Sequence, residues 1–200
     1  SSPEALVQGM MAAAKIHEKS GAAVGIYRLD VGSAGYPTFD YVLRWDSGED
    51  WAKTKESNFN EEWQAFWAQA SQSPSGTMLM SLEGLNWNDS AKAADFANDG
   101  PYRVYVWQHN AGKSAAVYAA LKEAAKMHAA MGAKVNIYQE GVGGTGKVHY
   151  VLTFDDWAGM ADFGDKVNAS QELRFLRAAF ADAATPIGSV QGEPLYYTGR

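Results

Sequence analysis

Residues Ala124 to Gly143 read AAKMHAAMGAKVNIYQEGVG, and residues Ala13 to Gly32 read AAKIHEKSGAAVGIYRLDVG. Eleven of the twenty aligned positions are identical at a constant offset of 111, among them Lys15/Lys126, His17/His128, Gly21/Gly132, Tyr27/Tyr138 and Gly32/Gly143. A self-match of this length is an internal duplication, and it divides the 200 residues into two similar units rather than one large domain. The units expected are 1–87 and 102–200. The stretch 88–101, rich in Asn, Asp and Ala, links them.

Local pattern fills in each unit. Helical spacing of Leu6, Met10, Ala13 and His17 predicts a helix from Glu4 to Lys19, with Pro3 in its first turn and Gly21 ending it. Strands are expected at Val24–Val31 and Phe39–Asp46, joined by the turn 32–37, followed by a helical region with Asn60 as a cap and a closing strand at Thr77–Gly84. The second unit repeats this order behind an additional strand, Tyr102–His109. Its helix is expected at Ser114–Met131, its strands at Lys134–Glu140 and Lys147–Asp155, a helical region at 157–183 and a closing strand from Ile187. Weaker matches extend the repeat: Tyr41-Val42-Leu43 with Tyr150-Val151-Leu152, Trp51-Ala52 with Trp157-Ala158, and Ser81-x-x-Gly84 with Ser189-x-x-Gly192. Unit two reads βαββαβ and unit one αββαβ. The counterpart of Tyr102–His109 therefore aligns before residue 1, and a first strand of unit one is expected as a leading segment or as a separate N-terminal strand peptide.

The fold class is thus α+β. Two tandem βαββαβ units, each with a helix ending just before a glycine and a Trp-bearing second helix, resemble the dimeric α/β barrel superfamily, which includes antibiotic-biosynthesis monooxygenase-like, stress-responsive barrel and NIPSNAP-like groups. That resemblance implies two ferredoxin-like sheets facing each other in one intrachain barrel, with helices outside and ligands inside the barrel or between sheet and helices. It covers nearly the whole chain but carries no motif specific to one group. The superfamily hosts haem enzymes, cofactor-free oxygenases, cyclases and non-enzymes, so fold does not choose the chemistry.

Period-two alternation divides each strand into two faces. On the non-helical face the sequence places Arg103, Tyr105, Trp107 and His109 from one strand, Asn136, Tyr138 and Glu140 from the next, and His149, Val151 and Thr153 from the third. Tyr27, Leu29, Asp40, Val42 and Arg44 join them from unit one. Aromatic surface mixed with imidazole and guanidinium is the composition of a small-molecule pocket for an aromatic or apolar ligand. His109 and His149 are the acid–base candidates. Arg103, Tyr105, Trp107, Asn136, Tyr138, Tyr27 and Arg44 are the ligand-binding candidates, an arginine being suited to a carboxylate or a developing oxyanion. Cofactor-free oxygenation and acid–base chemistry of cyclase or isomerase type both fit. The alternative is a filled barrel of interlocked side chains, a non-catalytic structural or assembly module, with a homo-oligomer possible.

Other signals are weaker. His17 and His128 recur but lie on apolar stripes, which favours packing over a haem or metal pair; the cofactor is left unknown, with none implied, haem open and no ligand cluster supporting a metal. Gly141-Val142-Gly143-Gly144-Thr145-Gly146 matches G-x-G-x-x-G, but the following residues alternate as a strand, so a hairpin loop is expected and a dinucleotide site is not. Trp51, Trp63, Trp67 and Trp157 are expected as core anchors, and Asp155-Asp156 as a helix entry. The net charge of −6, with no basic run and no RNP1 motif, argues against nucleic acid and anionic membranes. No apolar run approaches a membrane span. The start Ser1-Ser2-Pro3 is compatible with removal of a leader, hence with secretion or a periplasmic location.

Overall fold

The computed structural model describes residues 2–32, 35, 37–72 and 74–198, apart from the side chains of residues 177 and 179. Ser33, Ala34 and Tyr36 of the expected turn lie outside the described residues. In chain order the elements are α1 (Pro3–Lys19), β1 (Ala23–Val31), β2 (Thr38–Arg44), α2 (Gly48–Ser57), α3 (Glu61–Gln72), β3 (Gly84–Asn86), β4 (Tyr102–His109), α4 (Ser114–Ala130), β5 (Lys134–Glu140), β6 (Val148–Thr153), α5 (Trp157–Ala169), α6 (Gln171–Phe180) and β7 (Ala184–Tyr197). One turn of 3-10 helix, Ala93–Phe96, sits in the stretch expected as a linker. No helix among the described residues is long and apolar enough to cross a membrane.

Short polar side chains start the helices. Ser2 accepts from the Ala5 amide at 3.2 Å, Ser47 from Asp50 at 3.1 Å, Asn60 from Trp63 at 2.9 Å and Asp156 from Gly159 at 2.7 Å. The expected roles of Asn60 and Asp156 hold. Both repeated helices end alike: the amides of Ser20 and Ala22 bond the His17 carbonyl, and those of Met131 and Ala133 bond the His128 carbonyl, around Gly21 and Gly132 at φ 95° and 103°.

All strands belong to one antiparallel sheet in the order β2-β1-β7-β4-β6-β5-β3. Its middle is the long β7. Residues 184–192 pair with β4, and residues 191–197 pair with β1, so the closing strand of the second half reaches into the first. The exchange is returned by β3, which pairs with β5 at Gly84↔Glu140, Leu85↔Gln139 and Asn86↔Tyr138. The expected strand at Thr77–Gly84 is corrected here. Only its last residue enters a ladder, because residues 77–82 have no adjacent strand among the described residues, whereas β3 has β5 beside it.

The sheet is curled into a half-barrel. Arg44, on the first strand in the order, feels the phenol of Tyr138 on the sixth, a contact a flat sheet could not make. Outside the curl, Val117, Leu121, Tyr150, Leu152, Phe154 and Phe163 belong to the core between the sheet and α4–α6. Inside it, Tyr27, Tyr102 and Val104 pack with Val42, Val106, Val151 and Val190. Of the four tryptophans expected as anchors only Trp63 is buried, at 4% exposure; Trp51, Trp67 and Trp157 are 40–58% exposed. Helical spacing placed them on helices correctly but could not tell which turns the sheet covers.

Candidate functional site

The inner face of the curl collects residues from both halves. His149 stands on β6 opposite Tyr138 of β5, and its Nε2 lies 2.8 Å from Glu140 Oε1. Glu140 Oε2 accepts from the amides of Thr145 at 2.7 Å and Lys147 at 3.3 Å, and from the Thr145 hydroxyl. Burial works to raise the Glu140 pKa, yet the bonds from His149 and the two amides prevail and hold it at about 2. An ionised carboxylate has no proton to give, so His149 Nε2–H is the donor of this bond. The G-x-G-x-x-G segment is therefore a hairpin loop, as expected, and it wraps a carboxylate of its own chain in backbone donors.

Arg44 lies farther along the same face. Its guanidinium carbon is 4.2 Å from the Phe96 ring centroid, 5.5 Å from that of Tyr27 and 5.6 Å from that of Tyr197. Phe96 comes from the 88–101 stretch, so that stretch is packed into the site's wall. Burial opposes the charge of Arg44, but the phenols of Tyr27, Tyr138 and Tyr197 outweigh it and keep the pKa raised. Burial likewise raises Tyr27 and Tyr138 despite the nearby cation, so both remain neutral donors. Arg44 Nε and Nη1 are buried with no hydrogen-bond partner among the described residues. Asp40, on the same face of β2, is raised by burial, with the charge of His149 opposing. Asn136 accepts from Asn86 Nδ2 at 3.0 Å, which ties β5 to β3.

The structure thus brings together His149, Tyr138, Asn136, Tyr27 and Arg44, and separates them from Arg103, Tyr105, Trp107 and His109. The expected face of β4 is reversed. Tyr102, Val104 and Val106 point inward, while Tyr105 and Trp107 pack into the outer core, Trp107 edge-on to Phe180 at 5.0 Å. Arg103 on that outer side bonds Gln191 at 2.7 Å and approaches Met160 Sδ at 3.8 Å. His109 shares their face by the two-residue period, so the two candidate histidines lie on opposite sides of the sheet. Both sides of β4 are covered, and alternation then defines two faces without saying which is inner. The anchoring role of Glu140 was also missed. Its signal was a carboxylate in phase with Asn136 and Tyr138, just ahead of a glycine-rich loop full of free amides.

The recurrent histidines are accounted for by packing. His17 Nδ1 is 2.8 Å from the Tyr41 hydroxyl and His128 Nδ1 is 2.7 Å from that of Tyr150, so each half fastens its first helix to its sheet by the same pair.

No protein-family profile matches the chain, and no curated protein matches it. Solved structures do. An anthrone oxidase-like protein superposes with a TM-score of 0.60 at 13% identity, over 99% of this chain and 88% of its own. A candidate monooxygenase from Fusobacterium nucleatum gives 0.62 at 10% identity, covering 98% and 88%. Another from Lactobacillus acidophilus gives 0.61 at 8%, covering 96% and 88%. At such identities the likeness is one of fold: this chain has a monooxygenase-like α/β fold.

Proposed function

We propose that the chain is an oxygenase-type barrel for an aromatic or apolar small molecule, built as two ferredoxin-like units, 1–87 and 102–200, with its chemistry on the inner face at His149. The observation that carries this reading is the His149–Glu140 bond. A buried carboxylate fixes the ring orientation and the tautomer, which leaves Nδ1 as a base and stabilises the imidazolium that proton transfer creates.

A substrate of the anthrone kind suits that base, since its ring-flanked carbon is acidic and its anion is electron-rich enough to reduce dioxygen. His149 Nδ1 takes the carbon-bound proton. The charge moves to the substrate oxygen, where Arg44 and the neutral phenols of Tyr138 and Tyr27 provide donors. The carbanion gives its electrons to dioxygen and a carbon–oxygen bond forms. One oxygen atom stays as the new ketone; the other leaves as water with the two hydrogens that carbon has lost.

The test is oxygen uptake with anthrone in air-saturated buffer. Wild-type protein should consume oxygen above the buffer rate, and His149→Ala should lower kcat by about a hundredfold or more, the usual weight of a general base. Arg103→Ala and His109→Ala, on the opposite face, should leave kcat within about threefold, since only groups meeting the transition state change it. Turnover untouched by His149→Ala sinks the assignment. The second reading, a non-catalytic assembly module, is favoured by the consecutive exposed Met78, Leu79 and Met80, and it gains if no polycyclic phenol is oxidised.

A further inference from the structure

β2 ends the sheet order on one side, and β3 ends it on the other after three residues. The internal repeat says what belongs beside them. β6 is the counterpart of β2 through Tyr150-Val151-Leu152 and Tyr41-Val42-Leu43, and β6 has β4 along its second edge. The stretch 81–84 is the counterpart of 189–192 in β7, whose preceding residues lie along the other edge of β4. Both strands that flank β4 therefore have counterparts in the first half, β2 and residues 77–82, and neither counterpart has a ladder partner there among the described residues. Each is anchored from elsewhere: β2 by β1, and Glu83, next to 77–82, by backbone bonds to Val142 and Gly141 at 2.8 and 2.7 Å. Met78, Leu79 and Met80 are 77%, 74% and 68% exposed, a run of bare apolar residues that a monomeric surface rarely tolerates.

We infer that β2 and residues 77–82 form a strand-binding slot that takes one extended peptide segment from outside these 200 residues, antiparallel to both walls and with the alternating apolar pattern of β4. Main-chain bonds to the outer edge of β2 supply affinity, and the pleat supplies pattern selectivity. Bound there, the strand continues the sheet from β2 toward β3 and covers the methionines. The inference rests on pairing and repeat geometry alone, so it stands whether or not His149 performs chemistry.

The probe is a capped synthetic peptide with the β4 sequence, YRVYVWQH, added to the 200-residue protein. It should bind saturably at one per chain, raise the melting temperature, and slow amide exchange in Thr38–Arg44 and 77–82. A scrambled peptide should bind at least about tenfold more weakly, because its pattern no longer matches the pleat. Leu79→Pro, at a position outside every ladder, should cost about as much by removing one edge amide, with the circular dichroism unchanged. The inference is overturned if the peptide does not bind, if exchange slows elsewhere than β2 and 77–82, if the scrambled peptide binds equally, or if the free protein proves to be a dimer already paired along β2.

Discussion

His17 and Glu140 are both held charge-shifted by their surroundings, and they set two separate arms of the acid response. Burial pushes the His17 pKa down from 6.5 to about 4, so the folded chain binds this proton less readily than the unfolded chain does. Its contribution is intact above pH 6.5 and is lost as the pH falls toward 4, where the unfolded state gains the proton first. For Glu140 burial is overcome by the bonds from His149 and the loop amides, and its pKa falls from 4.5 to about 2. That contribution is intact above pH 4.5 and is lost between 4.5 and 2. Melting temperature against pH should therefore fall in two steps. His17→Gln should flatten the step between 6.5 and 4, and Glu140→Gln the one below 4.5. A single unchanged step in both variants would show that neither environment is as described.

At the scale of elements, legibility followed burial. The helices were readable because one stripe is covered and one is wet; the caps at Asn60 and Asp156 were readable because only short polar side chains reach the first free amides. β4 was not, since Tyr105 and Trp107 are apolar on the outside and Val104 and Val106 are apolar on the inside, so polarity gives no direction. Residues 77–82 are mostly apolar but lack, among the described residues, the neighbouring strand that turns such a segment into a ladder. The repeated glycines were legible as repeats, and the structure supplies the reason. A Cβ on Gly32, at φ 85°, would run into the Ser189 carbonyl, and one on Gly143, at φ 82°, would lie 2.6 Å from that of Ser81. The repeat thus preserves the place where each half's loop meets the other half's closing segment. Gly143→Ala should cost about 2 kcal/mol or more, from the left-handed backbone and the contact together. Gly164→Ala, in α5 with open space around it, should stabilise by up to about 1 kcal/mol. Urea midpoints of the two variants against wild type check the contrast, and equal shifts would contradict it.

The exchange of closing strands decides how the whole molecule unfolds. β7 is shared: its first part completes the ladder with β4 and its last part completes the one with β1, where Glu193 also pairs with Arg28. The Tyr197 hydroxyl donates to the Ala93 carbonyl at 2.5 Å, so the end of the same strand also secures the 88–101 stretch, whose Phe96 lies against Arg44. Neither half can lose its sheet without stripping a ladder from the other, which is the condition for one cooperative transition rather than two. Trp45 and Trp63 report on the first half, and Trp107 on the second. With β7 intact, fluorescence of single-Trp variants retaining either reporter should follow the far-ultraviolet circular dichroism through one common urea midpoint. Ending the chain after Val190 removes Gln191–Tyr197 and with it the whole β1–β7 ladder, while β4 keeps most of its partner residues. The first-half reporter should then unfold at lower urea than the second-half reporter. Separate midpoints in the 200-residue chain would mean that β7 does not couple the halves, and a common midpoint surviving the truncation would mean that something other than β7 does.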